Sequence, residues 1–110
     1  MQHQDSRIYQ RALELVDLAR LVIDAMPSGF GFLVDQLRRA AASVPLNFAE
    51  GSAKRSAADR QRFFQIAKGS AYEVAAVLDV AHCFGVIDDQ LRSRGLDLCD
   101  HIGAMLGRYR

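Results

Sequence analysis

Apolar residues recur along the 110-residue chain at spacings of three and four, the period of an α-helix. In the first segment Ile8, Ala12, Leu15, Ala19, Val22 and Met26 fall on one stripe. Asp5 or Ser6 can cap its start, and Pro27-Ser28-Gly29 stops it. A second apolar edge of Tyr9, Leu13, Val16 and Ile23 leaves a narrow polar side of Gln10, Glu14, Asp17 and Asp24. A helix this apolar is expected to touch more than one neighbour.

The second segment runs from about Phe32 to Glu50, striped by Leu33, Leu37, Ala40, Val44 and Phe48. Gly51 is expected to end it, since glycine tolerates the left-handed conformation after a helix. Pro45 lacks an N–H and opposes the carbonyl of Ala41, a cost of about 3 kcal/mol in a helix interior. The stripe passes through Pro45 without a phase change, so a kinked but continuous helix is expected. In the third segment Ser56 and Asp59 resemble a capping box, and Phe63, Ala67, Ser70, Val74, Val77, Ala81 and Phe84 stay in register up to Gly85, its expected C-terminal cap. Asp88 or Asp89 opens the fourth segment, striped by Leu91, Leu98, Ile102, Met105 and Tyr109. Gly95, Gly103 and Gly107 weaken it by roughly 1 kcal/mol each relative to alanine. Connections are short and no strand-like alternation competes. The pattern predicts an all-α, antiparallel up-down-up-down four-helix bundle, one domain over residues 1–110.

Composition sharpens this picture. Half of the residues are hydrophobic and a quarter are charged, as in a folded domain. Fourteen Lys and Arg against 13 Asp and Glu give +1, which excludes a bulk polybasic nucleic-acid binder. The charges are segregated, however. Residues 51–70 hold Lys54, Arg55, Arg60, Arg62 and Lys68 against Asp59, a net of +4. Residues 71–91 hold Glu73, Asp79, Asp88 and Asp89 with no Lys or Arg, a net of −4. Arg92, Arg94, Arg108 and Arg110 add positive charge in the fourth segment, whose end returns toward the start of the third in an antiparallel bundle. The five basic residues of 51–70 are the candidate nucleic-acid surface, RNA or DNA. Solvated face charges and intersubunit salt bridges are the competing reading.

Cys83 and Cys99 form no C-x-x-C pair; both lie in apolar stretches and are expected to be buried. Residues 1–5 lack an apolar signal core, and the longest charge-free runs, 25–34 and 40–49, are ten residues each. A membrane helix needs about 20, so no membrane association and a cytoplasmic location are expected. Residues 1–4 are expected to be disordered.

The run from Gln36 to Gly51, QLRRAAASVPLNFAEG, resembles the four-helix-bundle family named for 23S rRNA intervening sequences, with its QLRRAA-x-S-[IV]-x-x-N-I-A-E-G signature. Ser56 and the run FFQIAKGSAYE from Phe63 to Glu73 resemble that family's second signature, F-L-x-I-A-x-G-S-x-x-E. Phe48 stands where the family usually has Ile and Phe64 where it has Leu; both are apolar. The resemblance implies a helical protomer that assembles as a ring, typically a homopentamer, with no settled activity. A related group resembles the accessory variability proteins of diversity-generating retroelements, which bind nucleic acid and a reverse transcriptase through a basic surface. This chain departs from them in being nearly neutral.

Within the signatures, Gln36, Ala40, Ser43, Asn47 and Glu50 share a second face of helix two, and Ser70 and Glu73 lie one turn apart on helix three. With Arg39, they form a candidate polar network that sets helix register or subunit geometry. A ligand or catalytic pocket is the alternative, but no nucleophile–base or acid–base pair accompanies them, so no catalytic residue is assigned. A buried Glu50 would need Arg39 or Lys54 as a partner. His3, His82 and His101 stand apart and none follows a Glu by three positions, so neither metal nor cofactor is expected. The wide apolar face of the first helix in so short a chain predicts self-association. A protein partner is a further expectation.

Overall fold

The computed structural model describes residues 2–109. Four helices account for most of them: α1 (Arg7–Ala25), α2 (Gly31–Ser52), α3 (Ala57–Cys83) and α4 (Asp89–Arg108). A 3-10 turn, Gln2–Asp5, precedes α1, so the expected disorder of residues 2–4 is replaced by ordered structure; Met1 and Arg110 lie outside the described residues. Gln4 contributes its carbonyl to Gln10 Nε2 at 2.9 Å, which ties the turn onto α1.

Each helix packs on the next, and α4 closes against α1. Opposed contacts fix the directions. Along the α2–α3 pair, Phe32 meets Phe84 near the start of α2, while Phe48 stacks on Phe64 near its end. Along α3–α4, Leu78 packs at Gly95 and Tyr72 at Gly103. Along α1–α4, Leu18 reaches Gly95, while Ile8 at the start of α1 shares a hollow with Met105 and Arg108 at the end of α4. Neighbours are therefore antiparallel, in a bundle 44 × 22 × 20 Å.

The helix ends follow from local chemistry. Ser6 caps α1 by accepting from the Ile8 amide at 3.1 Å. Ser56 Oγ accepts from the Asp59 amide at 3.1 Å, half of a capping box. Asp88 caps α4, accepting from the Leu91 amide at 2.7 Å. Past the end of α3, Gly85 has φ 74°. Its amide donates to the His82 carbonyl and the Val86 amide to that of Ala81, the paired bonds of a Schellman stop.

Three sequence expectations need correction. Gly51 does not end α2 in the left-handed region; the helix continues to Ser52. Gly51 is there for space, because a Cβ would lie 2.7 Å from Phe64 Cε1. The buried face of α3 is wider than the predicted stripe and loses its two ends: Ala67, Ser70, Val74, Val77 and Ala81 of that stripe are buried and Phe64, Ala71 and Leu78 join them, whereas Phe63 is half-buried and Phe84 is 56% exposed. Phe64, Ala71 and Leu78 belong to the adjoining stripe, and periodicity alone does not say how far a buried face extends to either side. In α4 the centre of the buried stripe is Gly95, Cys99, Ile102, Gly103 and Leu106. Its glycines bring α4 close to α3, and the larger Leu91, Leu98 and Met105 flank the contact half-buried. Pro45 is buried inside one continuous α2, as the unbroken stripe requires.

Candidate functional site

The signature residues divide into three groups. Ser43, Asn47 and Ser70 come together between α2 and α3. The Ser43 and Ser70 hydroxyls are 2.7 Å apart. Asn47 Nδ2 donates to the Ser43 carbonyl at 2.9 Å and to Ser43 Oγ at 2.8 Å. Ser70 is the one buried polar side chain among the described residues. Asn47 and Ser43 are half-buried beside it. The three side chains satisfy one another where two helices touch, and thereby set the axial position of α2 on α3.

Glu50 is exposed and not buried. It pairs with Lys54, not Arg39, at 3.1 Å, one helical turn away. Gln36, Arg39 and Glu73 are exposed and do not join the network; no hydrogen bond or ion pair holds their side chains. They nevertheless lie on the same stripes as Ser43 and Ser70. Arg39 precedes Ser43 by four positions, and Glu73 follows Ser70 by three.

Large apolar side chains share this outer face. Leu46 is 67% exposed, three positions after Ser43, and Ile66 is 43% exposed, four before Ser70. Phe32 and Phe84 meet at one end with ring centroids 6.1 Å apart, each more than half exposed. Val80 is exposed one turn before Phe84. The seam between α2 and α3 thus presents an apolar ridge interleaved with uncompensated polar groups. Helical periodicity could not reveal this: such residues belong to a core stripe or to an interface with equal right until the neighbouring helices are placed.

The basic residues are gathered at the opposite end of the bundle from Phe32 and Phe84, and with differing freedom. Arg60 is engaged with the α2–α3 turn, donating to the carbonyls of Arg55 at 2.7 Å and Lys54 at 3.4 Å. Lys54 and Arg62 lie over the Phe63 ring, at 5.2 and 4.4 Å from its centroid. Arg55 is exposed on the turn. Lys68 is set apart on the α4 side, beside Gly107 and 5.9 Å from the Tyr72 ring centroid. The predicted return of α4 holds: Gln61 Nε2 donates to the Tyr109 carbonyl at 2.9 Å. Arg108 arrives with it, and Arg7 and Arg108 flank a common hollow there. Arg7 was not among the sequence candidates, because its place at this end depends on how α1 closes against α4. Arg92 lies at the far end, bonded to Asp79 at 2.8 Å.

Among the described residues no group of three or more His, Cys, Asp and Glu side chains is arranged to hold a metal, and no helix is long and apolar enough to cross a membrane. The cysteines differ from expectation in one case. Cys99 is buried, and burial pushes its thiol up to about 12. Cys83 is exposed, because the last turn of α3 runs past the core.

Short turns and antiparallel neighbours define the class of protein, an up-down-up-down helical bundle. Within that class the chain belongs to the 23S rRNA-intervening sequence protein family, whose sequence pattern matches residues 4–108. Among solved structures it is similar to a protein of unknown function from the S23 ribosomal protein family of Bacteroides thetaiotaomicron. The two share 18% identity with a TM-score of 0.83, over 90% of this chain and 94% of the other. That likeness is one of fold. No curated protein matches the chain.

Proposed function

We propose that this protein is a non-enzymatic, self-associating helical bundle of the cytoplasm that binds nucleic acid through its basic end, as an adaptor for a nucleic-acid enzyme such as a reverse transcriptase. One observation carries the reading: three helices and the α2–α3 turn contribute positive charge to the same end. Arg7 comes from α1, Lys54 and Arg55 from the turn after α2, Arg62 from α3 and Arg108 from α4. Arg60 holds the turn that presents two of them. At the other end, near the turns that join α1 to α2 and α3 to α4, Asp24, Asp35, Asp79, Asp88 and Asp89 are largely offset by Arg20, Arg38, Arg92 and Arg94. A net charge of +1 thereby hides a concentration of positive charge at one end. Self-association, with the homopentamer as its expected form, multiplies a modest patch into one able to neutralise several phosphates.

The test is a salt-titrated binding assay against single-stranded and duplex RNA and DNA. Binding is expected at about 50 mM salt and should weaken steeply by about 200 mM, as counterion release requires. Replacing Lys54, Arg55 and Arg62 together should abolish it. Absence of binding at low salt overturns the nucleic-acid reading and leaves the second one, an interaction ring that contacts protein alone. The exposed ridge between α2 and α3 favours that second reading.

A further inference from the structure

We propose that the hollow between the start of α1 and the end of α4 holds one unpaired nucleotide of a bound strand. The site rests on the nucleic-acid reading proposed above and deepens it, by naming the part of the strand that is recognised. The hollow measures about 290 Å³ and is lined by Ser6, Arg7 and Ile8 from one helix end and by Met105, Arg108 and Tyr109 from the other.

Two kinds of chemistry meet in this lining. Arg7 and Arg108 are exposed cations, and no hydrogen bond or ion pair holds either side chain among the described residues. Arg7 stands in the first turn of α1 with no acid beside it there, at the end where a helix disfavours a cation. Two uncompensated guanidinium groups on one hollow call for an anion, and a phosphate offers oxygens to both. The remaining wall is apolar and aromatic. Ile8 is buried and Met105 half-buried. The Tyr109 ring packs on Phe64 and Phe48, with centroids 5.2 and 5.4 Å away, yet 38% of the residue stays exposed. A braced, part-open aromatic ring is a stacking platform for a base. An inorganic anion or an acidic peptide would engage the arginines and leave this wall bare, whereas a nucleotide engages both.

Volume and position narrow the ligand further. The hollow lies near the lower limit of about 300 Å³ for ligand sites, room for one nucleotide and not for a base pair. It adjoins the basic patch. Gln61 bonds the Tyr109 carbonyl, and the next residue, Arg62, lies with Lys54 over the Phe63 ring. A strand with one nucleotide in the hollow therefore runs on across Lys54 and Arg62, which take its phosphates. Stacking and phosphate contacts suit every base, so no sequence preference is expected.

The methyl group of Met105 reports on the hollow, and that of Met26, at the far end of α1, is the control. Methionine-methyl NMR at about 50 mM salt, where phosphate contacts are strong, is run with a short single-stranded oligonucleotide, its blunt duplex and adenosine monophosphate. Fluorescence anisotropy measures strand binding in parallel. The single strand is expected to shift Met105 saturably and leave Met26 in place. Strand binding that leaves Met105 unmoved overturns the hollow while the nucleic-acid reading stands; absence of any strand binding defeats both. A duplex that shifts Met105 as fully as the single strand overturns the unpaired nucleotide. Adenosine monophosphate that saturates Met105 as tightly as the strand overturns the strand as the source and assigns the hollow to free nucleotides. Arg7→Gln with Arg108→Gln should abolish the Met105 shift, while weakened strand binding persists through Lys54, Arg55 and Arg62. Tyr109→Leu, which keeps an apolar side chain against Phe48 and Phe64, should weaken the single strand about tenfold and leave duplex affinity unchanged. An equal loss for both gives Tyr109 a merely structural part and overturns the stacking.

Discussion

At the scale of single residues, the polar signature divides by burial. Ser43, Asn47 and Ser70 form one compact network, and its worth is stability. Asn47→Ala removes two donated hydrogen bonds beside a buried hydroxyl, a loss of about 1–2 kcal/mol. Thermal unfolding should register a drop of roughly 4–8 °C per kcal/mol for a domain of this size. An unchanged melting temperature would show that the network contributes nothing. The two thiols make a second contrast. Cys99, raised to about 12 by burial, stays protonated throughout the neutral range, whereas Cys83 is exposed. A thiol reagent at pH 8 should modify one cysteine per native chain and two in denaturant. The shift also has a sign for stability. The thiol is harder to ionise folded than unfolded, so its contribution is complete below about pH 9 and declines as pH rises toward 12. A Cys99→Ala variant should lose that part of the alkaline decline.

At the scale of helices, glycine does work that propensity alone counts as a defect. Gly51 sits under the Phe64 ring, with Phe63 Cβ 3.0 Å from where its own Cβ would be. Gly51→Ala should raise helix propensity yet destabilise the protein by about 1–3 kcal/mol, because overpacking outweighs the gain. Phe64→Leu in the same chain should recover part of the loss, measured by denaturant unfolding. Gly95 and Gly103 act likewise in α4, where Leu78 and Tyr72 of α3 occupy the space a side chain would need. Four elements, their order and their caps were legible in the sequence to within a residue or two. Which glycine stops a helix and which admits a neighbour was not legible, since both roles suit a residue without a Cβ. Gly85, in a positive-φ stop, and Gly51, under an aromatic ring, are separated only by their surroundings.

At the scale of the whole molecule, the positive charge gathered at one end of the bundle is the property that bears on function. Arg7 and Arg108 reach the basic end although they stand near opposite ends of the chain. If that end contacts phosphate, Arg7→Glu with Arg108→Glu should weaken nucleic-acid binding and flatten its salt dependence by about two phosphate contacts. Arg92→Glu with Arg94→Glu, toward the other end, should leave both unchanged. Equal effects from the two pairs would mean that total charge, and not its placement, governs binding.

The sequence by itself determined an all-α bundle, its helix boundaries, its family and the segregation of charge along α3, because helical period, caps and signatures are local and survive without neighbours. Only the tertiary structure decided the rest. It separated the buried Ser43–Asn47–Ser70 network from the exposed Gln36, Arg39 and Glu73. It turned Phe64 inward in place of Phe63, and it left Leu46, Ile66 and Phe84 uncovered. It also brought Arg7 to the side of Arg108. The physical reason is the same in each case. A helix has more than one apolar or polar stripe, and only the packing of its neighbours decides which stripe leaves water.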